Sequence, residues 1–162
     1  MIMYNVAVIA GGDSGEYEIS LKTADNIFNQ LDKSLFNPYL IHFRGADWHY
    51  TDENGNVCQV DKNDFSVQVL GERVKFDFAY IVQHGAPGET GQIEGYLEML
   101  GIPCSTCDSS TCSIVFDKYA CKCYIRELGL AKCAPDVFIR HGMDHQEAQD
   151  EVARKLQFPV FV

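Results

Sequence analysis

The sequence predicts an α/β protein built on a Rossmann-like open parallel sheet, and three observations carry that prediction. Two short apolar runs without polar alternation, Asn5–Ala10 (NVAVIA) and Phe78–Val82 (FAYIV), read as strands buried on both faces. Each run is followed by turn-forming glycines and then by a helical pattern. In such a strand–loop–helix order the loop lies at the carboxyl end of the strand, where open α/β sheets bind ligands.

Taken in order, the elements fit that scheme. After Asn5–Ala10, the run Gly11-Gly12-Asp13-Ser14-Gly15 turns the chain. A helix from Ile19 to Leu31 then places Ile19, Ala24, Ile27, Phe28 and Leu31 at helical spacing. Pro38–Phe43 (PYLIHF) is the next strand and completes a β-α-β unit, expected to be right-handed. Between Gly45 and Phe76, short β-rich pieces alternate with turn signals such as Glu53-Asn54-Gly55, a β-hairpin excursion that decorates the domain. Trp48 and His49 within it pack or face solvent. The loop from His84 to Gly91 (HGAPGETG) sets three glycines and a proline around one imidazole and one carboxylate. A helix from Gln92 to Leu100 follows, stopped by Gly101 with Pro103 beyond.

The remainder differs in character. Cys112–Leu128 reads as one long helix, capped by Asp108, Ser109 or Ser110 and stopped at Gly129. Ile114, Cys121, Ile125 and Leu128 form its apolar stripe, and Lys118 falls in it: either the stem snorkels past the core or the ammonium is aimed at an anion. Cys133–Ile139 is extended, Asp144 and Glu147 form a capping box for a helix to Leu156, and Phe158–Val162 begins another apolar strand. Such a strand without a partner is an exposed edge. The polypeptide is therefore expected to be the amino-terminal part of something longer, with residues 1–103 as one domain and 104–162 as the start of a second.

Composition sets the class. The chain has 162 residues, 46% hydrophobic and 22% charged, ordinary for a domain of good core size, and its net charge is −10. So acidic a surface argues against nucleic acid and anionic membrane as partners, because phosphate contacts need clustered Lys and Arg. No apolar run approaches a transmembrane span and no signal-peptide layout opens the chain, so the expected compartment is the cytoplasm. The seven cysteines include a CxxC, Cys104 to Cys107, which admits a zinc or iron–sulfur reading. No second CxxC completes such a site, and small apolar core filler is the default.

The two loops after parallel strands, Gly11–Ser20 and His84–Gly91, meet over one crevice if their strands are neighbours. GGDSGE is neither GxGxxG nor a P-loop. The first loop carries Asp13, Glu16 and Glu18, the second Glu89, and neither has a Lys or Arg. At an effective dielectric of about 20, a misplaced unit charge at ~4 Å costs about 4 kcal/mol, so the crevice would repel a pyrophosphate and welcome an ammonium. Plainer readings stand beside this one. Glu16, Glu18 and Glu89 would each complement the dipole of the helix that follows, and His84 would be a core histidine bonded to a backbone carbonyl. Glu16 and His84 favour function, since polar groups among glycines at sheet carboxyl ends have little packing value. No Ser-His-Asp or Cys-His arrangement can be assembled.

Three stretches in order, GGDSGEYEIS at Gly11–Ser20, HGAPGETGQIEGYLEMLGIP at His84–Pro103 and FDKYACK at Phe116–Lys122, give the chain a specific resemblance. It resembles the amino-terminal half of the D-alanine–D-alanine ligase family, in the ATP-grasp superfamily. The resemblance implies a pre-ATP-grasp domain followed by the start of an ATP-grasp domain. It also implies a reaction in which ATP phosphorylates the carboxylate of one D-alanine and the amine of a second attacks the acyl phosphate, for peptidoglycan synthesis. Carried over by position, Glu16 and His84 would be the catalytic pair, with Glu16 holding the first ammonium. Ser14 and Glu89 would support the substrate pocket, and Lys118 would reach ATP phosphates. ATP and magnesium would be the cofactors, and the full-length protein a homodimer. Tyr17 stands where the family usually has His or Arg, and Thr90 where Asp or Asn is common. The family's second nucleotide-binding lysine, serine–glycine loop, arginine and magnesium carboxylates have no counterpart here, so these residues alone are expected to be inactive. Rival readings are a ligase joining D-alanine to D-lactate or D-serine, and a stand-alone α/β module binding a small amino ligand.

Overall fold

The computed structural model describes residues 3–161, and the chain divides into two compact units, one ending at Phe116 and the other beginning at Asp117. The first unit contains β1 (Tyr4–Gly11), α1 (Tyr17–Gln30), β2 (Phe36–Arg44), β3 (Asp47–Thr51), β4 (Val57–Asp61), β5 (Ser66–Val69), β6 (Glu72–Val74), β7 (Phe78–Ile81), α2 (Gln92–Leu100) and α3 (Ser109–Phe116). The second contains α4 (Lys118–Glu127) and α5 (His145–Lys155).

β1 is the centre of the first unit. It pairs in parallel with β2 on one edge and β7 on the other. Its residues alternate between two cores: Val6, Val8 and Ala10 join Ala24, Leu21 and Ile27 of α1, while Ala7 and Ile9 join Ile93 and Leu97 of α2. Each large apolar side chain so buried contributes about 1.5–3 kcal/mol. β7, read from the sequence as buried on both faces, is instead the edge strand of this sheet, and Tyr80 is exposed. Ile19, expected in the buried stripe of α1, is also exposed, and Ser20 takes the inward position.

The open parallel sheet expected from the sequence does not form. Seven strands make one mixed sheet in the order β6-β5-β4-β3-β2-β1-β7, parallel only through β2, β1 and β7. From β2 to β6 the pairing is antiparallel, so Gly45–Phe76 continues the sheet rather than decorating it. The sheet is also strongly curled into a half-barrel. Strands lie about 4.8 Å apart, so a flat sheet would hold β6 roughly 19 Å from β2. Yet Phe76, just past β6, meets Tyr39 of β2 with ring centroids 5.5 Å apart. Trp48 of β3 and Phe65 beside β5 both reach Tyr96 of α2, at 5.4 and 5.9 Å. Burying this aromatic group under one helix requires the curl. Phe65 holds φ at 51°, in the left-handed region that bulky residues avoid, and is only 2% exposed.

The long helix expected over Cys112–Leu128 is two helices. The break falls at Asp117, whose side chain accepts hydrogen bonds from Tyr119 N and Ala120 N and so caps α4. In the second unit Asp144 caps α5 in the same way, through Gln146 N and Glu147 N. Asp136 pairs with Arg126 and with Lys122 at 3.0 Å, which holds its carboxyl below the usual range. Residues 158–161 form no strand, and Val162 lies outside the described residues. No helix among the described residues is long and apolar enough to cross a membrane.

Two predictions follow from the packing. Phe65→Ala is expected to cost about 3–5 kcal/mol, read from urea unfolding, because the cavity opens in the centre of the aromatic group. His42 of β2 stacks on His49 of β3 with centroids 5.2 Å apart and is half-buried; burial, then His49, lowers its pKa against the opposing pull of Asp25 and Asp47. A histidine lowered in the folded state leaves the unfolded chain binding more protons, so its contribution is complete above about pH 6.5 and is lost as pH falls below that. The urea midpoint should drop between pH 7.5 and 5, and His42→Gln should flatten the drop.

Candidate functional site

The site is built where β1 and β7 end side by side. Ser20, fully buried on α1, locks these ends together: its hydroxyl accepts from Gly11 N at 2.8 Å and donates to Val82 O at 2.7 Å. The two loops that leave the strands are then joined directly. Asp13 N donates to Ala86 O at 3.1 Å, and Ser14 Oγ donates to His84 O at 2.6 Å while accepting from Glu16 N at 3.2 Å. Ser14 thereby ties the backbones of Glu16 and His84 to a single hydroxyl.

The backbone conformations make this approach possible. Gly85 has φ of 71°, and a Cβ there would stand 2.9 Å from Ser14 Cβ. A Cβ on Gly88 would come within 2.4 Å of Gln83 Cβ. A side chain at Gly85 would push the two loops apart, and one at Gly88 would push the second loop off Gln83.

The four acidic residues do different things. Asp13 accepts from Gly45 N at 2.7 Å and braces the β2–β3 turn. Glu89 accepts from Gly85 N at 2.7 Å and closes its own loop, rather than serving the dipole of α2. Glu18 sits in the first turn of α1, where an acidic side chain complements the dipole. Glu16 precedes that helix as its N-cap residue but makes no side-chain cap bond, and it is exposed. Its carboxylate remains available to a ligand. His84 is half-buried and its imidazole bonds to no backbone carbonyl among the described residues. Lys118 opens α4 and is exposed; it belongs to the second unit.

Sequence reasoning missed three polar groups. Ser20 lies one helical turn before Ala24 on the apolar face of α1, a spacing that signals a buried hydroxyl. Gln83 is 4% exposed, and neither its amide nitrogen nor its oxygen has a partner. It lies beneath Gly88 with both polar atoms shut off from solvent, a donor set and an acceptor left unpaired under the second loop. Glu94 is fully buried in α2 and accepts from the Thr106 hydroxyl at 3.1 Å. Of the two departures noted in the sequence, Tyr17 lies under the Arg44 guanidinium, 4.9 Å from its ring centroid, so a cation approaches the crevice from the end of β2. Thr90 gives its carbonyl to Ser113 Oγ at 2.8 Å. Magnesium finds no ligand set: among the described residues, no three His, Cys, Asp or Glu side chains converge.

Glycine-rich loops over the carboxyl ends of adjacent parallel strands, with an exposed carboxylate at the rim, put the chain in the α/β class, whose ligands bind at such strand ends. Comparison with known proteins makes the class specific. The model of the D-alanine–D-alanine ligase amino-terminal domain matches residues 5–107. The chain is 36% identical to the D-alanine–D-alanine ligase of Phocaeicola vulgatus over 97% of its own length and 48% of that relative's. Among solved structures, the D-alanyl-alanine synthetase A of Vibrio cholerae superposes with a TM-score of 0.79 at 26% identity, over 95% of this chain and 46% of that one. The VanG D-Ala:D-Ser ligase of Enterococcus faecalis does so at 0.76 and 25%, over 98% and 51%. The chain belongs to the D-alanine–D-alanine ligase family, within the ATP-grasp superfamily. It spans about half the length of the curated relatives it matches.

The lock between strand ends is testable. Ser20→Ala should cost about 1–3 kcal/mol in urea unfolding, since both Gly11 N and Val82 O lose their buried partner. Amide exchange at Gly11 should accelerate in the same variant.

Proposed function

We propose that this chain supplies the first-substrate half of an ATP-dependent ligase that joins two D-alanines in the cytoplasm for peptidoglycan synthesis. The observation that carries the reading is the pair of joined loops, rich in carboxylates and free of Lys and Arg, over the ends of β1 and β7. Glu16 holds the ammonium of the first D-alanine, and His84 lines the same pocket. Ser14 and Glu89 keep the loops in place for both. The carboxylate of that D-alanine takes a phosphoryl group from ATP to become an acyl phosphate. The amine of the second D-alanine attacks this carbonyl and releases inorganic phosphate.

Lys118 supplies positive charge for the ATP phosphates in this reading. A cation at the amino end of a helix works against the macrodipole, so helix stability does not account for a lysine there. The intact enzyme is read as a homodimer, and a net charge of −10 favours neither nucleic acid nor anionic membrane as a partner. The likeness to a D-Ala:D-Ser ligase supports a second reading, with the same first substrate and D-serine as the attacking amine.

Phosphate release from ATP by the whole gene product tests the proposal. Release should depend on D-alanine and not on L-alanine; release indifferent to the amino acid overturns it. Addition of D-serine that outpaces D-alanine alone selects the second reading. Glu16→Gln should raise the KM for the first D-alanine roughly 10- to 100-fold, because the ammonium loses a charged partner worth about 1.5–3 kcal/mol. Unchanged kinetics would remove Glu16 from the site.

A further inference from the structure

Two thiols meet at the start of α3. Cys107 Sγ lies 3.3 Å from Cys112 Sγ. Cys107 is exposed, whereas Cys112 is 5% exposed and donates to Cys107 O at 3.6 Å. Burial, with Cys107 and then the buried Glu94 carboxylate beside it, pushes the Cys112 thiol up to about 12. The pair therefore consists of one sulfur open to solvent reagents and one protonated sulfur buried directly behind it, 3.3 Å away.

We propose that Cys107 and Cys112 form a reversible intramolecular disulfide, which makes the start of α3 a peroxide-sensitive modification site. The Cys107 thiolate attacks hydrogen peroxide, breaking the O–O bond and giving a sulfenic acid and hydroxide. The Cys112 sulfur then displaces the sulfenic oxygen, and the S–S bond forms as the S–O bond breaks. The Cys112 proton leaves with that oxygen as water. Both thiols are oxidised and the peroxide is reduced to water.

Position favours this pair over the CxxC pair. Cys104 is held in a β-bridge with Ala79, and its sulfur lies 3.6 Å from the Thr106 hydroxyl. A bond from Cys107 to Cys112 would close a ring over the first turn of α3. Ser113 of that helix donates to Thr90 O at 2.8 Å, so the modification is built next to the end of the second loop.

The experiment is peptide mapping of the intact chain after hydrogen peroxide, with alkylation of the remaining thiols. The tryptic peptide Phe76–Lys118 holds Cys104, Cys107 and Cys112. It should lose two hydrogens and carry alkylation on Cys104 alone, and dithiothreitol should restore alkylation at all three positions. Cys107→Ser, at an exposed position, should fold normally and abolish the link. A Cys104–Cys107 link, or sulfinic acid on Cys107 with Cys112 still alkylated, overturns the proposal.

Discussion

The parallel pairing of β1 with both β2 and β7 is the constraint on which the first unit depends. It places a helix on each face of one strand and brings two loop-bearing strand ends together. Pairing alone would leave those ends free to splay. Ser20 prevents this with one hydroxyl that satisfies an amide from β1 and a carbonyl just past β7. A buried group of this kind gains only about 1 kcal/mol net from each bond, but leaving its partners empty costs more, so it fixes geometry better than it adds stability.

The same logic sorts the carboxylates around the crevice. Asp13 and Glu89 each receive a backbone N–H at 2.7 Å, so their charge is committed to holding the turn shapes. Glu16 stands at the N-cap with φ −96° and ψ 15°, outside the extended conformation from which a side chain caps, and its own N–H is bonded to Ser14. Net charge therefore overstates what a ligand would feel: Asp13 and Glu89 are committed to backbone amides, while Glu16 makes no cap bond and its backbone is tied through Ser14 to that of His84. Arg44 over Tyr17 tempers the field further from the β2 side.

Much of this was legible in residue order. The two apolar runs, the glycines after them, the Gly101 stop and the acidic, lysine-free loops each follow from local chemistry, and each appears where local chemistry puts it. The mixed sheet was not legible, because Glu53-Asn54-Gly55 makes the same turn whether its hairpin decorates a sheet or extends one. Which edge a hairpin joins is decided by Tyr39, Trp48, Phe65, Phe76 and Tyr96 meeting across large sequence separations. The break at Asp117 had a readable signal, an acidic N-cap inside an apolar pattern, but periodicity alone runs straight through it. Gln83 and Glu94 were hidden for the opposite reason. Apolar patterning has no means of marking a buried polar side chain.

The two loops are also bonded to each other with no ligand between them, through Ser14 Oγ to His84 O and Asp13 N to Ala86 O. Gly85 stands so close to Ser14, and Gly88 so close to Gln83, that neither position admits a Cβ. Ordering a flexible loop on binding would cost about 0.5–1.5 kcal/mol for each side chain immobilised. Here the loop-to-loop bonds form in folding, so what a ligand's ammonium has left to order is the exposed Glu16 side chain. Affinity at such a rim is then governed by how well the ligand replaces the hydration of one exposed carboxylate. That in turn requires the rest of the ligand to be gripped by groups that exclude water.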